Sequence, residues 1–91
     1  MSSPIIFAAQ RAAAVFLLTD LDVAMTFLDL ADATRNLETS QRNHKNARTA
    51  YDTVPRLLPR LSLTGEEESA IREKLSTLRV RLANCRFATG R

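Results

Sequence analysis

The residues best suited to chemistry in this 91-residue chain are one histidine, one cysteine and a group of aspartates. A histidine base activates a serine or cysteine nucleophile that lies close to it, and no sequence pattern links His44 to such a nucleophile. Cys85 has no second cysteine for a disulfide, and with His44 far away in sequence it makes no zinc motif. His44 is therefore interpreted as a surface residue and Cys85 as a small apolar one.

Four aspartates, at positions 20, 22, 29 and 32, make the first half of the chain acidic. Carboxylate-bridged metal bundles combine glutamates with Glu-x-x-His motifs on helices, and this chain has no such motif. It also has no phosphate-binding loop and no dinucleotide fingerprint. We therefore predict a protein that is not an enzyme, with no catalytic residue, no cofactor and no metal site.

The composition predicts an all-α fold in a single domain, residues 1–91. Glycine occurs twice and proline three times, and these are too few turn-forming residues for a protein built from β-sheets. The formal net charge is a mild +3. A single cysteine is compatible with a reducing compartment, so a cytoplasmic location is expected. The architecture we expect is an antiparallel bundle of three to four helices.

Two helices, at about 4–18 and 20–35, are predicted in the first third. Ser3 and Pro4 suit the start of the first helix, and only Gln10 and Arg11 interrupt its apolar residues. Thr19 or Asp20 is able to cap the second helix. Because no glycine or proline separates them, one long helix over 4–35 is an open alternative. The apolar stretch is too short to span a bilayer, which takes about 20 residues.

Two further helices are predicted, at about 37–58 and 65–85. Asn36 is a candidate N-cap for the first, and Pro55 predicts a kink or a stop near its end. Thr64 and Glu67 form a capping box at the start of the second. Its apolar residues follow a heptad seam; they are Ile71, Leu75, Leu78, Leu82 and Cys85. The tail from Phe87 to Arg91 is expected to fray.

The first helix is apolar on nearly all sides, and a small domain is hardly able to bury it fully. This predicts a surface for self-association or for a protein partner. The candidate residues for that surface are Ile6, Phe7, Val15, Phe16, Phe27 and Tyr51.

The middle of the chain is basic. The residues concerned are Arg42, Lys45, Arg48, Arg56 and Arg60. Pairing between neighbouring helices, together with solvated faces, is the simplest interpretation. The alternative is a surface for nucleic acid, although the acidic first half would repel phosphate. The polar segment 40–46 is expected to project past the core or to meet a ligand.

Residues 24–59 resemble a tetratricopeptide-repeat hairpin. Ala47, Tyr51, Val54 and Pro59 reproduce the spacing of small, aromatic, small and proline positions in the second helix of that family, with Val for the usual Ala. Ala24, Phe27, Leu28 and Ala31 have the spacing of the first helix. Leu28 stands where the family has Gly or Ala, Ala31 stands where it has Tyr, and the two halves lie about two turns too far apart. The C-terminal helix would then stack on the hairpin.

The resemblance implies binding of a protein segment in a helical groove. Our first hypothesis is therefore a small interaction module that acts through the apolar face of residues 5–30 and a groove at residues 47–58. It would bind a partner or form a homodimer. The second hypothesis is a small basic regulator that binds nucleic acid, and a third is a membrane-surface protein that inserts residues 5–18.

Overall fold

The computed structural model describes residues 4–84, with side chains from residue 8 onward. Three helices, numbered in chain order, are α1 (Pro4–Ala33), α2 (Leu37–Leu57) and α3 (Gly65–Asn84), and a 3-10 turn, Leu58–Arg60, follows α2. No strand occurs among residues 4–84, so the all-α prediction is confirmed. The body measures 52 × 20 × 17 Å, a length consistent with the 30 residues of α1 at about 1.5 Å per residue.

The first third of the chain is one helix, which is the alternative left open above, and not the two helices predicted at 4–18 and 20–35. Buried residues run through the predicted break at alternating steps of three and four; they are Ala14, Leu17, Leu21, Ala24, Leu28 and Ala31. Thr or Asp inside a helix costs at most about 0.7 kcal/mol relative to Ala. Thr19 and Asp20 therefore stay helical, because a break there would divide one continuous buried row.

Helix α2 starts with the predicted cap and contains Pro55 in its last turn. The side-chain oxygen of Asn36 accepts a hydrogen bond of 2.9 Å from the backbone N–H of Thr39, which satisfies one of the first N–H groups of the helix. At the other end, the N–H of Leu58 donates to the carbonyl oxygen of Val54. The buried residues of α2 are Ser40, Ala47, Ala50 and Val54. Segment 40–46 therefore belongs to the bundle and does not project past it.

Helix α3 begins with the predicted capping box. The hydroxyl of Thr64 accepts a 3.1 Å hydrogen bond from the N–H of Glu67, and the Glu67 carboxylate accepts a 2.9 Å bond from the N–H of Thr64. The first four residues of the predicted seam are buried: Ile71, Leu75, Leu78 and Leu82. Cys85 and the tail from Phe87 to Arg91 lie outside the described residues.

The chain runs up, down and up through the three helices. A connection of three residues, 34–36, joins α1 to α2, so these helices are antiparallel neighbours. Ion pairs join α1 to α3 at Asp22–Lys74, 2.7 Å apart, and at Asp29–Arg81, 2.8 Å apart. Both pairs are 52 residues apart in sequence. A constant separation along two helices means that α1 and α3 run parallel.

The two polar residues that interrupt the apolar start of α1 anchor the connection between α2 and α3. The side-chain oxygen of Gln10 accepts a 2.8 Å hydrogen bond from the N–H of Ser62. Arg11 donates to the carbonyl oxygen of Ser62 at 3.1 Å and forms a 2.8 Å ion pair with Glu67. The connection and the start of α3 are thus held against α1 by three polar contacts, which satisfy both backbone polar groups of Ser62.

Candidate functional site

Helix α1 carries a second row of apolar residues, and this row faces solvent. Phe16, Val23 and Leu30 follow one another at seven-residue steps, and their exposed fractions are 66%, 43% and 50%. Each directly precedes a residue of the buried row, so the two rows lie about 100° apart around the helix. Val15, beside Phe16, is 62% exposed. We call Val15, Phe16, Val23 and Leu30 the apolar strip.

The structure separates the six residues predicted for the interaction surface. Val15 and Phe16 belong to the apolar strip. Phe27 and Tyr51 are partly buried and pack against the core, so they are only partly available to a partner. The side chains of Ile6 and Phe7 lie outside the described residues. The strip residues Val23 and Leu30 are absent from that prediction, although their seven-residue spacing from Phe16 is the sequence signal that identifies them.

A shallow groove separates α1 from α2 beside the apolar strip. Its lining comes from both helices: Asp20, Phe27, Asn46, Thr49, Ala50 and Thr53. Tyr51 follows Ala50 and so lies about 100° further around α2, on the flank that faces away from this groove. Phe27 and Tyr51 therefore do not form one site.

The groove predicted at residues 47–58 is only partly filled by the protein itself. Ala47 and Val54 are fully buried and Leu58 is 8% exposed, all within the core shared with α1 and α3. These three positions are core contacts, because α1 packs closely against them. Thr49, Ala50 and Thr53 line the shallow groove beside α1.

The five predicted basic residues, at positions 42, 45, 48, 56 and 60, are all exposed on the outer side of α2 and its 3-10 turn. The aspartates of α1 do not pair with them. Asp22, Asp29 and Asp32 pair with Lys74 and Arg81 of α3, and Asp20 has no ion pair within 4 Å among residues 8–84. Within residues 8–84, the one carboxylate within 4 Å of these five side chains is that of Asp52, 3.9 Å from Arg48. Three of the four aspartates thus pair with a neighbouring helix, as predicted, but that helix is α3, and the basic residues of the middle segment are solvated.

Acidic residues interrupt the basic surface. Glu38 precedes Arg42 by four residues, and Asp52 follows Arg48 by four. Residues four apart lie on the same side of a helix, so both carboxylates face the same solvent as the basic side chains. The surface has a positive balance but is not a continuous basic stripe.

His44 is partly buried, and its Nε2 atom has no hydrogen-bond partner among the described residues. Burial lowers the pKa of His44 below its ordinary value of 6.5, the positive charge of Arg48 lowers it further, and Asp32 opposes both effects. The neutral ring is therefore favoured in the folded protein. Within the part of the chain that the structure describes, no group of three or more His, Cys, Asp or Glu residues is arranged to hold a metal ion.

A second groove lies between α1 and α3 and is crossed by an ion pair. Its lining is Asp22, Met25, Ala70, Glu73, Lys74 and Thr77. Asp22 and Lys74 meet across it at 2.7 Å, and both side chains are partly open to solvent. This arrangement fastens two helices together.

None of the three helices, over the residues described, has a stretch long and apolar enough to cross a membrane. Comparisons of the chain with protein-family models, with curated proteins and with solved structures found no significant match. The functional argument therefore depends on the surface features described above.

Proposed function

We propose that this chain is a small helical protein-interaction module that binds through the apolar strip on α1. The observation that supports the proposal is the exposure of Phe16, Val23 and Leu30 in one row along a single helix, with Val15 exposed beside Phe16. Covering apolar surface contributes roughly 25 cal/mol per Å², and rows of this kind are typical of helix-to-helix contacts. The strip residues lie outside the buried core, so we expect them to contribute little to folding.

The resemblance to a tetratricopeptide hairpin also suggests a protein ligand. In that family the ligand lies in a groove between helices, whereas here Ala47, Val54 and Leu58 are part of the core and the groove beside them is shallow. We therefore assign the binding role to the outer side of α1. We also propose that the role is non-catalytic and that the protein works in the cytoplasm, where Cys85 would stay reduced.

The test compares two valines of similar exposure. Val23 of the apolar strip is 43% exposed, and Val80 of α3 is 48% exposed. We expect Val23→Asp to abolish association and Val80→Asp to leave it unchanged, while both variants keep the helical circular dichroism of the parent. Association is measured by light scattering on a sizing column from micromolar to millimolar concentrations, and by binding of helical peptides. If the two variants behave alike, the proposal is wrong.

A second candidate function is binding of nucleic acid through α2. It is supported by the exposure of five basic side chains that have a single carboxylate neighbour among residues 8–84. The test is fluorescence anisotropy with a labelled DNA duplex. This function requires affinity that falls steeply as salt is raised and that is weakened by Arg56→Glu. No binding at low salt would exclude it.

A further inference from the structure

Two rows of side chains lie next to each other on the face formed by α1 and α2. On α1, the row is Phe16, Val23 and Leu30. On α2, Arg42, Thr49 and Arg56 also follow at steps of seven, which places them on one side of the helix after every two turns. Thr49 lines the groove beside α1. Both arginines therefore lie on the flank of α2 that borders this groove.

The hydrogen bond between the hydroxyl of Ser40 and the carbonyl oxygen of Ala31 sets the register of the two rows. Antiparallel helices advance by equal steps in opposite directions, so levels can be counted from this contact. Leu30 comes level with Arg42 to within about one residue, and Phe16 comes level with Arg56. Each end of the face thus combines a large exposed apolar side chain with an exposed arginine.

The charges of this face differ between its ends and its middle. Among residues 8–84, neither Arg42 nor Arg56 has a carboxylate within 4 Å. Asp20 lies in the groove, level with the central residues of the α2 row. Glu38 and Arg60 lie beyond the two ends of that row. Each end of the row therefore has an arginine with no carboxylate within 4 Å, the acidic Asp20 lies nearer the centre, and Glu38 lies one turn beyond Arg42.

We propose that this face binds an amphipathic helix of another protein, with acidic residues flanking its apolar stripe near both ends. This inference rests on the proposed function and names the partner of the same strip. The stripe would cover Phe16, Val23 and Leu30, while carboxylates would meet Arg42 and Arg56, whose planar guanidinium groups suit them. From Phe16 to Leu30 the row on α1 advances by 14 positions, or about 21 Å, so the partner helix needs roughly 15–20 residues.

A second copy of this chain fits this face less well than an acidic helix of another protein does. Its own apolar strip would have to supply carboxylates opposite Arg42 and Arg56. On the flank of α1 away from α2, the nearest carboxylates are Asp22 and Asp29, which are held by Lys74 and Arg81. A homodimer in which this flank meets α2 of the other copy would have to break those ion pairs or leave the arginines without carboxylate partners. Charge complementarity therefore favours a different chain with acidic residues of its own.

The experiment uses two sets of synthetic helical peptides with the same leucine stripes. The sets differ only in carrying Glu or Lys beside the first and last turns. Affinity for the full chain is measured by fluorescence anisotropy at low salt. We expect the Glu peptides to bind about tenfold more tightly than the Lys peptides, which corresponds to about 1.4 kcal/mol. Val23→Asp should abolish binding of both sets.

Charge-reversed variants test which residues recognise the charged side chains of the peptide. We expect the double variant Arg42→Glu, Arg56→Glu to reverse the preference, so that the Lys peptides bind more tightly. The control is Arg48→Glu, Arg79→Glu, which makes the same change in charge at exposed positions away from the groove. The control should keep the preference for Glu peptides. A preference that neither variant changes, or that both variants change equally, would overturn the inference.

The remaining outcomes distinguish this inference from the proposed function. If both peptide sets bind equally and Val23→Asp still abolishes binding, the acidic partner is wrong and the interaction module survives. If no peptide binds and the chain is a dimer that Val23→Asp dissociates, the occupant is a second copy and the inference is overturned. If no peptide binds and Val23→Asp changes nothing, both proposals are wrong.

Discussion

The hydroxyl of Ser40 donates a 2.8 Å hydrogen bond to the backbone carbonyl oxygen of Ala31, and Ser40 is only 1% exposed. Ala31 lies in the last turn of α1, where carbonyl groups lack the N–H donor of a following turn. The first turn of α2 therefore satisfies the end of α1 at the point where the chain reverses. This contact replaces water at a buried site and fixes how the two helices meet.

Replacing Ser40 with alanine should lower the free energy of unfolding by about 1–3 kcal/mol, because a buried carbonyl oxygen loses its donor. Urea unfolding followed by circular dichroism measures the change. Ser76, which is exposed on α3, provides the control, and Ser76→Ala should alter stability by no more than about 0.5 kcal/mol. Equal effects at the two serines would contradict the assigned role.

Removal of the α3 cap should destabilise the protein by about 1 kcal/mol. Thr64→Ala deletes the oxygen that accepts from the N–H of Glu67. The same urea measurement applies, with Ser69→Ala as the control because Ser69 is exposed inside the helix. A loss that is no greater at Thr64 than at Ser69 would show that the capping box adds nothing to stability.

The two phenylalanines of α1 should respond differently to truncation. Phe16 is 66% exposed, so Phe16→Ala should change stability by no more than about 0.5 kcal/mol. Phe27 packs against the core, and Phe27→Ala should cost more, about 1.5–3 kcal/mol, which is less than full burial would give. Thermal unfolding distinguishes the two. If Phe16→Ala destabilised as strongly, the strip would be part of the core.

Arg81 should contribute a small, salt-dependent amount to stability. Its guanidinium group lies 2.8 Å from Asp29 and 3.3 Å from Asp32, and exposed ion pairs of this kind contribute roughly 0.2–1 kcal/mol. We expect Arg81→Gln to be destabilising at low salt and nearly neutral at high salt, since ions screen exposed charges. Arg79→Gln is the matched control on the same helix. A loss that is independent of salt would indicate a packing effect instead.

Stability should fall on acidification through the range where His44 titrates. Because burial lowers the pKa of His44 in the folded chain, the unfolded chain binds the proton more readily. The contribution of the neutral ring to the free energy of unfolding is therefore complete above pH 6.5. It decreases as the pH falls toward the lower pKa of His44 in the folded chain. An NMR titration of the ring measures this pKa, and His44→Gln should remove the pH dependence. A folded pKa at or above 6.5 would contradict this prediction.

Local signals in the sequence predicted the ends of α2 and α3 better than they predicted the continuity of α1. The caps at Asn36 and Thr64 depend on residues within one turn, so spacing alone identifies them. The continuity of α1 depends on a buried row that passes Thr19 and Asp20, and that row has meaning only when α2 and α3 cover it. Tertiary packing thus outweighed the capping tendency of two residues.

The polar contacts between the helices were harder to predict from the sequence. Ser40 lies seven residues before Ala47, and this spacing places it on the buried side of α2, but a serine in a polar segment gives no sign of its acceptor. Likewise, the basic middle segment is closer in sequence to the α1 aspartates than α3 is, so pairing with that segment was the simpler expectation. Because α3 packs against this side of α1, Lys74 and Arg81 are the partners instead.

The 52-residue separation between the partners of the α1–α3 ion pairs has a consequence for the order of folding. The α1–α2 hairpin closes through a connection of three residues, whereas docking of α3 on α1 must close a far longer loop of chain, which costs more entropy. We expect the hairpin to form early and α3 to join it late. In native-state hydrogen exchange, the amides of α3 would then open at lower free energy than the central amides of α1.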